Sequence, residues 1–512
     1  MFTPELLSNL FSAQAMIGLA VGVIGGVFIG ALPGLGATMG IAVLIPITFG
    51  MEPAAALIML TGLYTSAIYG GSITAILLHT PGTPAGAATA LDGYQLTLRG
   101  EGMRAIGAST IGSMIGGTIS AIMLLALAPP LARASLAFSA PEFFLIAVFG
   151  LTIIGSLSEG GMAKGLLAGL FGLAISTIGF DEIYGVRRFT YGLTALEAGI
   201  SLVPALIGLF SISQVLMLAE DLIKREAKKE MGDVSGRVLP SQAEFIAQLP
   251  NIVRSAIIGV FVGILPGAGG DIGSWLGYNE AKRFSKNKEN FGKGEITGVW
   301  AAETANNGVT GGSLIPMMTL GIPGSSAAAV LLGAMMLHGL LPGHGLFTTQ
   351  ADITYAIILG FLIANIMMGI VGLLMAKHVA KVASAPVPIL APVIVVLSVV
   401  GSYAINISLM DVNIMVIFGI IGYFMRKTGF ATAPIVLAII LGPMAENGFK
   451  RAQLMARGEN LISFYMGRPL SFVLLAMIVL SLFSPLIMGL VQKKMAGKKP
   501  AADGPSDSDT PE

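Results

Sequence analysis

Residues 24–40 read IGGVFIGALPGLGATMG, and residues 257–273 read IIGVFVGILPGAGGDIG. Laid side by side without gaps, ten of the seventeen positions are identical: Ile24/Ile257, Gly26/Gly259, Val27/Val260, Phe28/Phe261, Gly30/Gly263, Leu32/Leu265, Pro33/Pro266, Gly34/Gly267, Gly36/Gly269 and Gly40/Gly273. Each copy is an apolar run interrupted by Leu-Pro-Gly-x-Gly. A second pair of motifs follows: Gly70-Gly71-Ser72 leads to Pro81-Gly82, and Gly311-Gly312-Ser313 leads to Pro323-Gly324. Two hydrophobic halves, each broken by Gly and Pro at corresponding places, point to a secondary transporter with its binding site between repeats.

Composition identifies the solvent. Apolar residues make up 54% of the chain and charged residues 11%, and the mean hydropathy is +0.83. A soluble domain carries about 25% charged residues, so too few charges are present here to solvate a globular surface. Apolar stretches recur from end to end, clearly at 106–128, 143–157, 163–179, 353–376, 387–405 and 470–491. The expected fold class is therefore an all-α, polytopic membrane protein with roughly ten to fourteen spans. These runs do not alternate as the strands of a membrane β-barrel do.

Other features exclude function classes. The formal charge of +1 is uninformative by itself. The chain has no cysteine, and its four histidines (His79, His338, His344, His378) show no metal-ligand spacing, so no metal site or cofactor is expected. There is no GxxxxGK[ST] and no GxGxxG in a strand–helix context, which argues against a built-in ATP motor. The start, MFTPELLSNL, lacks a basic n-region, so the first apolar run is expected to remain in the mature protein. The expected environment is the lipid bilayer, with no nucleic-acid partner.

The strongest boundary is 219–250, AEDLIKREAKKEMGDVSGRVLPSQAEFIAQLP, polar at first and then turn-rich. It reads as a cytoplasmic linker between an N-terminal membrane repeat, 1–218, and a C-terminal membrane repeat, 251–492. The tail 493–512, rich in Pro, Asp and Ser, reads as disordered and cytoplasmic. Charge then relates the halves. After the first Leu-Pro-Gly motif, residues 41–64 contain no Lys or Arg; after the second, 274–297 contain Lys282, Arg283, Lys286, Lys288 and Lys293. After the Pro-Gly turns the bias reverses: Arg99 and Arg104 follow the first, and 338–352 carries no Lys or Arg. Equivalent loops with opposite bias are expected on opposite sides of the membrane. The halves thus read as inverted-topology repeats with paired broken or re-entrant helices. The Arg187-Arg188 and Arg426-Lys427 pairs are left unassigned by this pattern.

The breaks define the candidate site. Pro removes a backbone donor and Gly widens the accessible φ/ψ range, and irregular backbone at membrane depth must face protein or a water-filled cavity. Half-helix N-termini favour anions, and free carbonyls favour cations. Substrate-binding candidates are Ser66, Ser72, His79, Thr80, Pro81, Gly82, Thr83, Asn306, Asn307, Ser313, Pro323, Gly324, Ser325 and Ser326. Cation-coupling candidates are Gly34, Gly36, Thr38, Gly267, Gly269 and Asp271. The simpler alternatives are close packing for Gly and back-bonding to the helix for a lone Ser or Thr. For His79 the alternative is a structural role. Asp271 and Glu303, if at membrane depth, are candidates for cation or proton coupling, and for both the alternative is an interfacial ion pair near the basic loop 282–293. Because Asp271 and Asn306-Asn307 replace Thr38 and Thr65-Ser66 of the first copy, the stronger cation site is expected in the C-terminal half.

The runs GALPGLGATMGIAVLIPITFGMEP, YGGSITAILLHTPGTPAGAATALDGYQL, APEFFLIAVFGL, GVRRFTYGLTALEAGISLVPALIGLF, GILPGAGGDIGSWLGYNEAKRFSK, NNGVTGGSLIPMMTLGIPGSSAAAVLLGA and LGPMAENGFKRA resemble the large membrane subunit of tripartite tricarboxylate transporters, the TctA family. The resemblance spans about 20–455, with the motifs in the same order. It implies a bacterial inner-membrane secondary transporter with two partners, a small membrane subunit and a periplasmic substrate-binding protein. Implied substrates are carboxylates, such as citrate and other di-, tri- or aromatic acids. An ion gradient, Na⁺ or H⁺, is the implied driving force, with no ATP hydrolysis. The family's Pro-Gly turns fall on Pro81-Gly82-Thr83-Pro84 and Pro323-Gly324-Ser325, its Gly-rich motifs on Pro33-Gly34-Leu35-Gly36 and Pro266-Gly267-Ala268-Gly269, and its Asn-rich stretch on Asn306-Asn307. His79 departs from the pattern, where Asn is more usual, which questions a simple assignment of citrate. The expected function is carboxylate:cation symport. An ion or anion channel is the alternative, since channels also use broken helices. An intramembrane enzyme is disfavoured because no nucleophile–base pair or metal cluster is recognisable.

Overall fold

The computed structural model describes residues 3–32, 35–80, 82–156, 161–181, 183–224, 236–267, 269–382 and 387–496. The described chain is almost entirely α-helical, with one two-stranded hairpin. The first half comprises α1 (Pro4–Phe11), α2 (Ala13–Ala31), α3 (Ala37–Thr48), α4 (Pro53–Leu78), α5 (Gly86–Leu98) and α6 (Gly102–Ala134). Next come α7 (Ala140–Ser156), α8 (Met162–Ser176), strands β1 (Gly179–Phe180) and β2 (Arg187–Arg188), α9 (Leu202–Leu206), a π-helical turn Ile207–Ile212 and α10 (Ser213–Lys224). The second half comprises α11 (Gln242–Ile264), α12 (Gly269–Phe284), α13 (Ile296–Leu320), α14 (Ser326–Leu337), α15 (Ala351–Val382), α16 (Val387–Asn406), α17 (Leu409–Lys427), α18 (Ala433–Ala456), α19 (Leu461–Met466) and α20 (Pro469–Ala496).

Among the described residues, seven helices are long and apolar enough to cross a membrane, and six shorter apolar helices accompany them. The breaks explain why the long spans number fewer than the apolar runs: α3 and α14 are 12-residue pieces. Helix α13 is long enough, but Glu303, Thr304, Asn306, Asn307, Thr310 and Ser313 dilute its hydropathy. It is nevertheless the most central helix, with every residue from Gly298 to Thr319 buried. Its counterpart in chain order, α4, is 94% buried over its most apolar stretch. A helix buried on all sides belongs to the core. Helix α11 begins at Gln242, capped by Ser241 Oγ accepting from the Glu244 N–H at 3.2 Å. It therefore starts inside the polar 219–250 segment. Residues 225–235 and 497–512 of the linker and tail lie outside the described residues.

Backbone-to-backbone contact holds the core helices together. On α2, Gly22, Gly26 and Gly30 recur at four-residue spacing and lie along one stripe. A Cβ at these positions would fall 2.1 Å from the Met59 carbonyl oxygen, 2.7 Å from that of Leu63 and 2.1 Å from that of Ala67, all on α4. On α11, Gly259 and Gly263 make the same approach to α13, where a Cβ would fall 2.2 Å from the Ala305 oxygen and 2.6 Å from the Val309 oxygen. Small residues permit this approach, and dispersion between close backbones is the main attraction available between helices in lipid.

The loops meet in two sets. Thr48, at the end of α3, bonds His338, at the end of α14, with Oγ1 to Nε2 at 3.1 Å. Arg99, at the end of α5, donates to the Lys293 carbonyl in the loop before α13. Arg104 pairs with Glu101 at 2.5 Å and with Glu244 of α11 at 3.3 Å. Asp92 of α5 fastens this second set: its Oδ1 accepts from the N–H groups of Gly292, Gly294 and Glu295, each at 2.8 Å, and its Oδ2 accepts from Tyr278 Oη at 2.8 Å. The Arg187-Arg188 pair forms β2, in register with Phe180 and Gly179. Next to it Lys450 Nζ lies 2.5 Å from Asp181 Oδ2 and 2.6 Å from Glu446 Oε1, and Arg188 also pairs with Glu446. The Lys450 hydrogen bond holds the Asp181 carboxyl at about 2, below the ordinary carboxylate range. Lys427 pairs with Glu220 of α10 at 3.0 Å, which places the Arg426-Lys427 pair beside the start of the linker.

The glycine stripe yields a direct test. Replacing Gly30 by Ala overpacks the α2–α4 contact and is expected to destabilise the protein by about 1–3 kcal/mol. Gly25, whose added Cβ meets nothing within 4 Å, serves as the control. Thermal unfolding of the detergent-solubilised protein should show a lower midpoint for Gly30→Ala and little change for Gly25→Ala. Equal midpoints would show that the stripe does not set the packing.

Candidate functional site

Each half contains two interruptions, and local chemistry shapes each one. Helix α2 stops at Ala31, where the Leu32 N–H turns back to the Ile29 carbonyl at 3.2 Å. Helix α3 restarts after Gly36. Helix α11 stops in the same manner, with the Leu265 N–H on the Val262 carbonyl at 3.0 Å. Gly267 and Gly269 then take the left-handed conformation, at φ +75° and +61°. The second interruptions are also alike. Helix α4 ends at His79, left-handed at φ 51°, and α13 ends at Gly321, φ 73°. The Gly82 N–H donates to the Gly71 carbonyl at 3.3 Å, and the Gly324 N–H donates to the Ser313 carbonyl at 3.4 Å. In both places the turn lies against the end of the glycine-striped helix. A Cβ at Gly82 would sit 2.4 Å from the Gly30 oxygen, and one at Gly324 2.0 Å from the Gly263 oxygen. The Gly269 N–H also donates to the Gly324 carbonyl at 3.3 Å, joining the two interruptions of the second half.

The interruptions meet across the halves. A Cβ on Gly270, in the first turn of α12, would fall 2.3 Å from Asn306 Oδ1 and 3.4 Å from the Cβ of Ala85, which immediately precedes α5. Asn306 is 1% exposed, and neither its Oδ1 nor its Nδ2 has a hydrogen-bond partner. Thr83 lies close by in sequence, and its buried Oγ1 also lacks a partner. Its methyl group lies 3.4 Å from where a Cβ of Gly36 would be, and its N–H and hydroxyl approach Gly71. On another side, Tyr64 Oη sits 3.1 Å from Ser313 Oγ and 2.9 Å from Ser325 Oγ. Ser325 Oγ in turn caps α14, accepting from the Ala328 N–H at 3.2 Å.

A third polar string ties α4, α13 and α15. Asn307 Nδ2 donates to the Thr65 carbonyl at 3.1 Å and to Thr65 Oγ1 at 3.0 Å. Thr65 Oγ1 donates to Asn365 Oδ1 at 2.6 Å, and Asn365 Nδ2 donates to the Phe361 carbonyl at 2.8 Å. Asn307 Oδ1, Ser66 Oγ and Thr304 Oγ1 are buried without partners. A buried polar group left unpaired costs about 1–3 kcal/mol, so an added polar partner would lower the energy at each of these atoms.

The site residues expected from sequence divide accordingly. Asn306, Thr83, Gly82, Gly36, Gly269 and Gly324 lie at or beside the joined interruptions. Ser313 and Ser325 meet on Tyr64, Pro323 is buried, and Ser326 begins α14, half-buried. Gly267 lies in the turn before α12, and Thr38 is half-buried in the first turn of α3. Ser72 faces away toward α6, bonding Ser109 Oγ at 2.6 Å. His79 is exposed, with its ring 4.7 Å from that of Tyr94, and Thr80 Oγ1 bonds the Leu78 carbonyl at 3.1 Å. Asp271 is exposed in the first turn of α12, whereas Glu303 is fully buried. Gly34 and Pro81 lie outside the described residues. The sequence reading missed Tyr64 and Asn365. Asn365 had a signal: it is a lone amide in the apolar run 353–376, and such residues are functional candidates.

The sequence profile of the tripartite tricarboxylate transporter TctA family matches residues 16–437. The chain belongs to this family. TctA proteins are the large membrane subunits of tripartite transport systems; this one is a multi-pass membrane transporter subunit, not an enzyme, and other subunits complete the system. Relatives come from Agrobacterium vitis. An uncharacterised 52.8 kDa protein of the TAR-I ttuC' 3' region is 36% identical over 482 residues, covering 92% of this chain and 94% of the relative. An uncharacterised protein of the TAR-II ttuC' 3' region is 33% identical over 236 residues, 46% of this chain and 97% of the relative. No solved structure matches.

The two asparagines allow a stability test. Asn307→Ala removes the amide's two hydrogen bonds to Thr65 and should lower the unfolding free energy by about 1–3 kcal/mol. Asn306→Ala removes an amide that has no partner in the protein, and should leave the unfolding midpoint unchanged or raised. Equal losses in both variants, read by thermal unfolding in detergent, would show that Asn306 is structural.

Proposed function

We propose that this TctA protein imports carboxylates across the bacterial inner membrane by cation-coupled symport, binding substrate where the two halves' interruptions meet. The observation that carries the proposal is the Asn306 carboxamide, buried and unpartnered beside the first turn of α12, where Gly270 also approaches Ala85, the residue preceding α5. Helix N-termini favour anions, and an amide both donates and accepts, so a carboxylate suits the position. A periplasmic binding protein delivers the substrate and a small membrane subunit completes the complex, as the tripartite family implies.

The halves are, in this reading, inverted repeats with re-entrant or broken helices. Supporting this are the matched Gly82–Gly71 and Gly324–Ser313 hydrogen bonds and the matched contacts on Gly30 and Gly263. The loops sort as inversion requires. The two loops free of Lys and Arg, after α3 and after α14, meet through Thr48 and His338. The two basic ones, after α5 and after α12, meet through Arg99 and the Lys293 carbonyl. Because the chain has no cysteine, single replacements Gly50→Cys and Asn287→Cys report sidedness cleanly. A membrane-impermeant thiol reagent should label them from opposite sides, and labelling from one side would refute inversion.

Transport is tested in proteoliposomes holding this chain with its small subunit and binding protein, supplied with labelled citrate. Uptake should saturate and respond to a Na⁺ or H⁺ gradient. Asn306→Ala should reduce it about tenfold at equal protein, the loss expected for about 1.4 kcal/mol of binding. Unchanged uptake would remove Asn306 from the site, and an unsaturable ohmic current would make the protein a channel.

A further inference from the structure

Glu303 stands on α13 with its side chain fully buried. Oε1 accepts from Thr89 Oγ1 of α5 at 2.5 Å, and Oε2 from Ser113 Oγ of α6 at 3.1 Å. The hydroxyls of Ser109 on α6 and Ser72 on α4 also lie within its reach. They bond each other at 2.6 Å, and Ser72 donates to the Tyr69 carbonyl at 2.7 Å. The carboxyl thus sits in a cage of hydroxyls contributed by three helices of the first half.

No Lys or Arg completes the cage. Among the described residues, Glu303 forms no ion pair, and several charged groups of the surrounding helices are engaged elsewhere. Arg104 of α6 pairs with Glu101 and Glu244. Arg254 of α11 stacks 4.0 Å above the Phe284 ring, and Arg283 of α12 pairs with Glu280 at 3.6 Å. The titratable groups facing this region are Tyr69 of α4, bonded to Thr110 Oγ1 at 2.7 Å, and Asp92 of α5, committed to Tyr278 and three backbone N–H groups. Neither supplies positive charge. An isolated carboxylate is costly at membrane depth, and hydroxyl dipoles replace only part of its lost water.

We propose that Glu303 is a proton-binding site through which this protein couples transport to proton movement; the proposal rests on the transport reading above and names its coupling ion. A protonated carboxyl donates one hydrogen bond and accepts others, which a cage of hydroxyls accommodates because each hydroxyl can also do both. A bound metal cation would need the same oxygens at 2.3–2.6 Å from itself, whereas here the hydroxyls bond the carboxyl directly. The proton adds to an oxygen of the ionised carboxylate, forming the O–H of the acid, and leaves by the reverse step. The Ser109–Ser72 pair connects the acid to the Gly70-Gly71-Ser72 turn, whose Gly71 carbonyl holds the Gly82 interruption. Asn306 follows Glu303 by three residues on α13, so proton occupancy and substrate contact share one helical turn.

Infrared difference spectroscopy of the purified full-length protein between alkaline and acidic buffer tests this without any substrate. The carbonyl-stretch band of a protonated carboxylic acid should appear on acidification, move in Glu303→Asp and vanish in Glu303→Gln. A band absent from the wild type, one that does not titrate, or one that survives in Glu303→Gln overturns the proposal. In proteoliposomes, the ratio of citrate accumulation driven by a pH gradient to citrate counterflow should fall about tenfold in Glu303→Gln. An unchanged ratio also overturns it. Failure of the wild type to move citrate at all would refute the transport reading's substrate, while the infrared titration decides Glu303 separately.

Discussion

The structure depends on one constraint: at membrane depth every backbone polar group must find its partner inside the protein. Unbroken helices meet this condition automatically, and interrupted ones do not. Here each Pro-Gly turn is pressed onto a neighbouring backbone. Gly82 is bonded to the Gly71 carbonyl and lies against Gly30; Gly324 is bonded to the Ser313 carbonyl and lies against Gly263. That contact requires α2 and α11 to lie at backbone distance from α4 and α13, which the glycine stripes allow. The stripes and the breaks are therefore parts of one device. Without the close approach the turns would lose their supporting surface, and without the turns the helices would have no irregular backbone to present to a ligand.

The breaks were legible in the sequence because their cause is local. Pro and Gly act on their own residue and its neighbours, so helix ends at Ala31, Leu78, Ile264 and Leu320 fall next to the motifs that foretell them. The glycine repeats at Gly26/Gly259 and Gly30/Gly263 were equally visible, although their partners on α4 and α13 were not. The polar strings were hidden because they join residues far apart in the chain: Tyr64 and Ser313 are separated by 249 positions, and Asn307 and Thr65 by 242. No periodicity encodes such a pairing. The basic loops were legible as a set from charge alone, whereas the carboxylate that fastens them, Asp92, looked like an ordinary polar residue before α6.

Glu303 and Asp271 differ in their surroundings in a way that proximity along the chain does not encode. Asp271 is beside a break and attracts attention, yet it occupies an exposed position in the first turn of α12. Glu303, three residues before Asn306, looked suited to an ion pair with the 282–293 loop. Instead α13 is buried on every side, so its carboxyl meets only what α4, α5 and α6 present, and these present hydroxyls. Hydropathy hides this helix for the same reason. A segment enclosed by protein need not be apolar enough to face lipid, so the residues that lower its score are those with partners or ligands to meet.

The asymmetry of the two copies then has a structural meaning. At the positions of Asn306 and Asn307 the first copy has Thr65 and Ser66, and Thr65 serves as a partner for Asn307. One copy supplies amides, and the other supplies the hydroxyl that holds one of them in place. The same division recurs at Glu303, where the second half contributes the acid and the first half its cage. Glu303, Asn307 and Ser313 of α13 thus find partners among residues of the opposite half. A movement of α13 against its neighbours would therefore disturb the acid and the Asn306 amide together, because both sit on one turn of one helix. Under the proposed transport reading, coupling needs no long-range pathway, because the acid and the amide lie three residues apart on α13.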